Sequence, residues 1–159
     1  EACPTGCILP NRTIDANRCV SYLTIEHRGE IPPSLRNSIG NWLFGCDICQ
    51  AVCPWNQTSG NPSNEGFPVT FTEEELVGLL ALSPGDFKTR FSQSSLARAK
   101  WQGLLRNAMI VIGNQGGRDW VEPLEVFLKS NSDPVLDATV RWALERVTIT
   151  QPPKFDFGG

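Results

Sequence analysis

The chain has 159 residues, of which 40% are hydrophobic and 19% charged, and its formal net charge is −3. This composition is typical of a globular protein with one domain or two small ones, and the negative charge argues against nucleic-acid binding by bulk charge alone. No apolar run approaches the length that crosses a bilayer, so we predict no membrane span.

The first 45 residues are predicted to hold short elements only. Pro4, Gly6 and Pro10 interrupt residues 1 to 20, which we interpret as turns and a short helix. Residues 20 to 26 predict a short helix, although their β-propensity also allows a strand. A second helix is predicted to start at Pro32-Pro33, with apolar residues at 35, 39, 42 and 43, and to deliver Gly45 and a cysteine-rich loop at its end.

That loop has the spacing Cys46-x2-Cys49-x3-Cys53, and Pro54 follows directly. The spacing matches the last three cysteines of the bacterial ferredoxin run, in which the cysteine before proline ligates a second cluster. Leu43 stands where the first cysteine of the run would be. A cluster on Cys46 and Cys49 therefore needs two thiolates from elsewhere in the chain.

Cys3, which also precedes a proline, and Cys19 can supply those two thiolates. Cys53 then belongs to a second cluster, whose other ligands would precede Glu1. We therefore predict one complete ligand set, part of a second, and a chain that begins inside a ferredoxin motif, as a fragment would. Cys7 fits neither set and is predicted to be a small buried residue.

Two other uses of the cysteines stay open. Six cysteines could form three disulfides, but Cys-x2-Cys and Cys-Pro spacings favour metal. A zinc site on Cys3, Cys19, Cys46 and Cys49 also satisfies tetrahedral coordination, yet it explains neither Cys-Pro pair and gives Cys53 no role. Thiolate ligands need a reducing compartment, which indicates the cytoplasm.

The rest of the chain predicts a linker followed by helices. Residues 58 to 71 have the composition of a linker, and Thr72 opens a capping box with Glu75. Further helices are predicted to start at Ser83-Pro84 and to cover Leu96–Asn114, Trp120–Leu128 and Asp133–Val147. Arg-x-Ala triplets recur 35 residues apart, at 106 and 141, which is a period of two-helix solenoids, although an ordinary bundle also fits.

A basic run also lies in this part of the chain. Between Phe87 and Arg118 there is no acidic residue and there are six basic ones, namely Lys88, Arg90, Arg98, Lys100, Arg106 and Arg118. The run predicts a cationic face that binds a phosphate backbone, with a solvated helix face as the alternative. Trp101 and Trp142 are predicted to be core residues.

Three segments resemble epoxyqueuosine reductase: Ala-Cys-Pro-Thr-Gly at 2–6, Cys-Val-Ser-Tyr-Leu-Thr-Ile-Glu at 19–26, and Phe-Gly-Cys-Asp-Ile-Cys-Gln-Ala-Val-Cys-Pro-Trp-Asn at 44–56. Leu-Arg-Asn-Ala at 105–108 and Ile-Gly-Asn at 112–114 are similar to the C-terminal HEAT-like repeats of that family. The resemblance implies a mainly α fold, with a ferredoxin-like 4Fe-4S domain over 1–57, a linker over 58–71 and HEAT-like helical repeats over 72–159.

The family is a cobalamin- and 4Fe-4S-dependent reductase that removes the epoxide oxygen of epoxyqueuosine in tRNA, the last step of queuosine synthesis. The resemblance thus implies a cytoplasmic, monomeric oxidoreductase that binds the tRNA anticodon loop. The family's N-terminal domain, with most of the cobalamin pocket and the acidic proton donor, has no counterpart here. We therefore expect no catalytic residue in this chain and no activity from it alone.

Residue by residue, the resemblance implies three groups of site residues. Cys3, Cys19, Cys46 and Cys49 correspond to the ligands of the second cluster, and Cys53 to one ligand of the first. Corrinoid-lining positions correspond to Ser21, Phe44, Gly45 and Cys46. Arg28 corresponds to a tRNA-contacting position, and the basic run adds Arg98 and Lys100. The alternative functions are a stand-alone ferredoxin-type electron carrier with a helical docking domain and a zinc-stapled interaction module.

Overall fold

The computed structural model describes residues 2–56 and 71–149, and its helices account for nearly all regular structure in these ranges. The α-helices are α1 (Val20–Ile25), α2 (Pro33–Ile39), α3 (Ile48–Ala51), α4 (Glu73–Leu80), α5 (Pro84–Phe91), α6 (Lys100–Gln115), α7 (Val121–Ser130) and α8 (Pro134–Ile149). Short 3-10 turns cover Ala16–Arg18, Ser95–Ala99 and Arg118–Trp120. The prediction of a mainly α fold is confirmed. No helix in the described ranges is both long and apolar enough to cross a membrane.

Capping residues fix where the helices of the second half begin. In the predicted capping box, the Glu75 N–H donates to Thr72 Oγ1 at 3.2 Å, and the Thr72 N–H donates to Glu75 Oε2 at 2.8 Å. The Ser83 hydroxyl accepts from the Asp86 N–H at 3.1 Å at the start of α5. Asp133 accepts from two backbone N–H groups in the first turn of α8. Each cap satisfies donors that a helix leaves unpaired at its N-terminus.

Two predicted helix boundaries are wrong, and the backbone explains both. The helix that starts at Pro33 ends at Ile39 and does not reach Gly45, because Gly40 adopts a φ of +57° that ends the helix. The predicted helix Leu96–Asn114 is interrupted at Lys100, whose φ is +62°, so Ser95–Ala99 forms a separate 3-10 turn. Its predicted end before Gly116 is confirmed.

Helix α6 lies at the centre of the molecule. Its twelve consecutive residues from Gly103 to Asn114 are all buried. It packs against α8 and α4, and also against α1 and α2 from the N-terminal part of the chain. The sequence prediction that this helix is buried on more than one side is therefore confirmed.

The N-terminal segment shares its core with the helices that follow it. A smaller apolar cluster joins Val20, Leu23, Ile31 and Ile39 to Ile110 of α6. Leu43 in turn belongs to the larger cluster formed by α4 to α8. The predicted linker 58–71 lies outside the described residues, apart from its last residue, a phenylalanine that packs on the larger cluster.

Trp142 of α8 joins three helices. Its ring lies 5.2 Å from the guanidinium of Arg36 in α2, a side chain that is only 1% exposed. Arg36 also donates to Glu30 Oε1 at 2.6 Å. Burial lowers the pKa of Arg36, and the Glu30 carboxylate opposes that shift. The same ring packs against Gly113 of α6, where a Cβ atom would lie 2.5 Å from a ring carbon.

We therefore expect Gly113→Ala to destabilise the chain. The added methyl group would force the Trp142 ring away from α6 and from Arg36, at a cost of about 1 to 3 kcal/mol. Gly78→Ala is the matched control, because Gly78 is an exposed glycine in α4 with nothing within 4 Å of the added atom. The control should gain up to about 1 kcal/mol. Urea unfolding of the two variants measures both effects, and equal stabilities would contradict the packing described for Trp142.

Candidate iron–sulfur site

The six cysteines lie in four short segments of the N-terminal part. Cys3 and Cys7 flank a turn in which the Gly6 N–H donates to the Cys3 carbonyl at 3.1 Å. Cys19 is the residue directly before α1 and caps it. Cys46 follows Gly45, whose φ of +77° favours glycine at this position. Cys49 lies in α3, and Cys53 lies just beyond the end of that helix.

The Cys3 thiol lies in an environment that stabilises its thiolate. Its sulfur is 3.3 Å from Thr5 Oγ1 and 3.4 Å from Cys7 Sγ. Burial raises the pKa of Cys3, but hydrogen bonds from the Thr5 side chain and from the backbone at Cys7 and Thr5 outweigh it and lower the pKa to about 6. Cys3 is therefore largely a thiolate at neutral pH, the form that binds metals.

Cys7 is the buried residue that the sequence predicts, with 3% of its surface exposed. Burial, together with the neighbouring Cys3 and Cys19, raises the pKa of Cys7 to about 12. Cys7 is therefore a neutral thiol at neutral pH. No spacing pattern indicated that the Cys7 sulfur lies 3.4 Å from the Cys3 sulfur.

The other three predicted ligands of one cluster lie close enough to Cys46 for their charges to act on it. Burial raises the pKa of the Cys46 thiol, and a hydrogen bond from the backbone at Ile48 opposes that shift. Charges on Cys49, Cys19 and Cys3 raise the same pKa further. The assignment of these four thiols to one cluster stays a prediction.

The donor chemistry of this group fits an iron–sulfur cluster. Cysteine thiolates are soft ligands that select clusters, zinc or copper(I). Hydrogen bonds to a ligand sulfur, of the kind that Cys3 receives from Thr5, are one way in which a protein tunes a cluster. Across residues 2–56 and 71–149, no three His, Cys, Asp or Glu side chains converge as the ligands of a single metal ion do.

The residues predicted to line a corrinoid lie beside this thiol group. Ser21 is half-buried in the first turn of α1, two residues after Cys19. Phe44 is partly buried against the larger core, and Gly45 links it to Cys46. The Gly45 N–H donates to Thr24 Oγ1 at 3.0 Å, which holds the backbone at Gly45 against α1, the helix that carries Ser21.

The predicted tRNA-contacting residues come together on one surface. Arg28 donates to the carbonyls of Arg98, at 2.7 Å, and Ala99, at 3.4 Å, which places it beside Lys100. The Arg98 guanidinium pairs with the Glu26 carboxylate, and 66% of the Arg98 side chain is exposed. Lys100 is also exposed.

One member of the predicted cationic face is not on the surface. Arg106 is 1% exposed, and its guanidinium donates to the carbonyls of Leu23, His27 and Gly29. The prediction that Arg106 belongs to a phosphate-binding surface is therefore wrong. Lys88, Arg90, Arg98, Lys100 and Arg118 are the exposed cations of the run.

Sequence reasoning missed the polar side chains of α6 that contact the N-terminal part of the chain. Arg106, Asn107 and Asn114 are all buried, and each donates to backbone carbonyls of the N-terminal part. A signal was present in the sequence, because Arg-Asn interrupts an otherwise apolar run from Leu104 to Ile112. Polar residues on a buried helix need partners, which these residues find in the cluster segments.

Comparison with known proteins defines the class of this site. Residues 1–56, which include all six cysteines, match the family described as the 4Fe-4S double cluster binding domain. The N-terminal part of the chain is thus similar to a class of iron–sulfur domains that bind two clusters.

The whole chain has more specific relatives. It is 39% identical over 146 residues to epoxyqueuosine reductase of Escherichia coli, a match covering 89% of this chain and 38% of that enzyme. It is 38% identical over 151 residues to the enzyme of Pseudomonas aeruginosa, covering 92% and 41%. The chain is a homologue of epoxyqueuosine reductase, an oxidoreductase, and spans about 40% of the length of these relatives.

Solved structures agree with the sequence comparison. The structure of epoxyqueuosine reductase from Streptococcus thermophilus superposes with a TM-score of 0.77 at 30% identity, covering 96% of this chain and 40% of that one. A crystal structure of epoxyqueuosine reductase with a tRNA-Tyr epoxyqueuosine-modified stem loop gives a TM-score of 0.59 at 25% identity, covering 92% and 48%. The resemblance read from the sequence is confirmed.

Proposed function

We propose that this chain supplies the iron–sulfur electron-transfer and tRNA-binding portions of an enzyme that reduces epoxyqueuosine to queuosine in tRNA. The observation that carries the proposal is the match of residues 1–56, which hold all six cysteines, to the double-cluster family. The charges of Cys3, Cys19 and Cys49, which act on Cys46, support it. The proposal keeps the division into an iron–sulfur domain over 1–57, a linker over 58–71 and a helical domain over 72–159. It also assigns the helices of the last part to HEAT-like repeats.

Cys3, Cys19, Cys46 and Cys49 would hold one 4Fe-4S cluster, and Cys53 would contribute to a second. When bound, the clusters supply single electrons and the cobalamin of the full-length enzyme supplies a strongly reducing cobalt centre for removal of the epoxide oxygen. Thr5 hydrogen-bonds the Cys3 sulfur and so stabilises its charge. Ser21, Phe44 and Gly45 would line the corrinoid beside the cluster and exclude water from it.

The surface formed by Arg28, Arg98 and Lys100 would bind phosphates of the tRNA anticodon loop. Arg28 is far from the other two in sequence, and its hydrogen bonds to the backbone at 98 and 99 bring the three cations together. Phosphate contacts of this kind position a nucleic acid without reading its sequence. An anticodon loop can extend a single unstacked nucleotide toward a site that a base within a duplex could not reach.

The cluster assignment predicts which cysteines control iron uptake. After anaerobic reconstitution, the chain should bind about four irons with matching sulfide, because only one ligand set is complete. Serine in place of Cys3, Cys19, Cys46 or Cys49 should abolish most of this uptake. Iron and sulfide analysis measures it.

Cys53→Ser and Cys7→Ser are the matched controls, and both should keep nearly all of the iron. Loss of the cluster in Cys53→Ser with retention in Cys19→Ser would contradict the assignment of ligands. Binding of zinc by the four thiolates without labile sulfide would instead support a zinc-stapled interaction module.

The tRNA assignment predicts a salt-dependent interaction. Arg98→Glu/Lys100→Glu should weaken binding of an anticodon stem loop and flatten the dependence of log K on log salt by about 0.7 to 0.9 for each lost contact. Lys129→Glu/Arg141→Glu is the control, since it reverses two exposed charges on α7 and α8. Fluorescence anisotropy over a salt series measures both variants. Equal binding by the two variants would refute the phosphate-binding surface.

A further inference from the structure

We propose that Thr24 and Asn107 are positioning residues that hold the Cys19 and Cys46 segments in register. The inference rests on the proposed function, because it concerns how the chain shapes a thiolate site for the cluster. Neither residue contacts a ligand sulfur. Both act on the backbone beside the ligands.

The short helix α1 starts directly after Cys19. It has six residues, and isolated helices of this length are not stable in water. The carbonyls of its last four residues nevertheless all have donors, three of which are side chains from outside the helix. These are the Glu26 N–H to Tyr22 at 2.8 Å, Arg106 to Leu23 at 2.7 Å, Asn107 to Thr24 at 2.7 Å and Arg28 to Ile25 at 3.1 Å.

The Thr24 hydroxyl is completely buried. It donates to the Val20 carbonyl at 2.8 Å and accepts from the Gly45 N–H at 3.0 Å. Val20 follows Cys19 directly, and Gly45 directly precedes Cys46. One hydroxyl group therefore links the backbone next to one ligand with the backbone next to another.

Asn107 of α6 is also completely buried. Its side-chain nitrogen donates to the carbonyls of Thr24, at 2.7 Å, and Leu43, at 2.9 Å. Its oxygen accepts two hydrogen bonds from the Arg106 guanidinium, at 3.1 and 2.9 Å, which fix the orientation of the amide. Asn107 thus ties the same two ligand-bearing segments together a second time.

These bonds have a direct consequence for the thiol site. Groups behind the ligands orient them, and their loss commonly weakens metal binding about 10- to 100-fold. Without the Thr24 hydroxyl, the Gly45 N–H loses its partner and the loop before Cys46 can shift relative to α1. Cys46 and Cys49 would then no longer be held at a fixed position relative to Cys19.

Two pairs of variants in the whole chain test the inference. Thr24→Val removes the bridging hydroxyl, and Thr139→Val is its control, because Thr139 is equally buried and makes the same 2.8 Å bond within its own helix, from Oγ1 to the Val135 carbonyl. Asn107→Asp removes the bridging amide. Its control is Asn114→Asp, because Asn114 is buried in the same helix and donates to the Arg36 and Gly40 carbonyls, neither of which adjoins a cysteine.

The reconstituted parent and variants are exposed to an iron chelator, and the rate of iron release is followed by absorbance. Thr24→Val and Asn107→Asp should release iron at least about 10-fold faster than the parent, with altered EPR signals of the reduced cluster. The two controls should keep the rate and the EPR signals of the parent. Thr24→Ser, which keeps the hydroxyl, should restore both.

A readout without iron accompanies this measurement. In the apo chain, exchange of the Gly45 amide hydrogen should accelerate in Thr24→Val and stay unchanged in Thr139→Val. A parent chain that takes up no iron would overturn the proposed function, and the inference with it. In the other contrary outcome, the parent holds its cluster while Thr24→Val and Asn107→Asp release iron no faster than their controls. That result would overturn the inference alone.

Discussion

The structure depends on the hydrogen bonds that buried polar side chains of α6 donate to the backbone of the N-terminal part of the chain. Arg106, Asn107 and Asn114 reach carbonyls between residues 23 and 43 that no regular secondary structure satisfies. An unpaired carbonyl buried in protein costs about 1 to 3 kcal/mol, so these donors make the irregular N-terminal segment compatible with a packed interior. The helices of this segment are short, and its other backbone hydrogen bonds lie in turns and caps.

Arg106 donates to three of these carbonyls, and it is also a buried cation. Burial, together with the charges of the nearby Arg28 and Arg36, lowers the pKa of Arg106 to about 10, yet the side chain stays protonated at neutral pH. A buried cation is tolerated only when it is fully hydrogen-bonded. The guanidinium lies at the C-terminal end of α1, where carbonyls without a partner inside the helix carry partial negative charge. These carbonyls accept its hydrogen bonds.

Much of this organisation could be predicted from local patterns in the sequence. The capping box at Thr72 depends on residues close together in the chain, and it located a helix start correctly. The Cys46-x2-Cys49 spacing is equally local, and it lies within the segment that matches the double-cluster family. Gly40 and Lys100 adopt positive φ values that the periodicity of apolar residues does not indicate, so periodicity placed those boundaries wrongly. Arg106 was wrongly placed on a cationic surface, because the charge pattern of a sequence does not show which charged side chain is buried.

The central claim is that α6 builds the thiolate site together with the cysteine segments. The most direct measurement compares the peptide 1–56, which contains all six cysteines and matches the double-cluster family, with the whole chain after identical reconstitution. The account predicts that the whole chain retains its iron in the presence of a chelator, whereas the peptide loses it rapidly. Equal iron content and equal release rates for the two would contradict the claim that the site depends on α6.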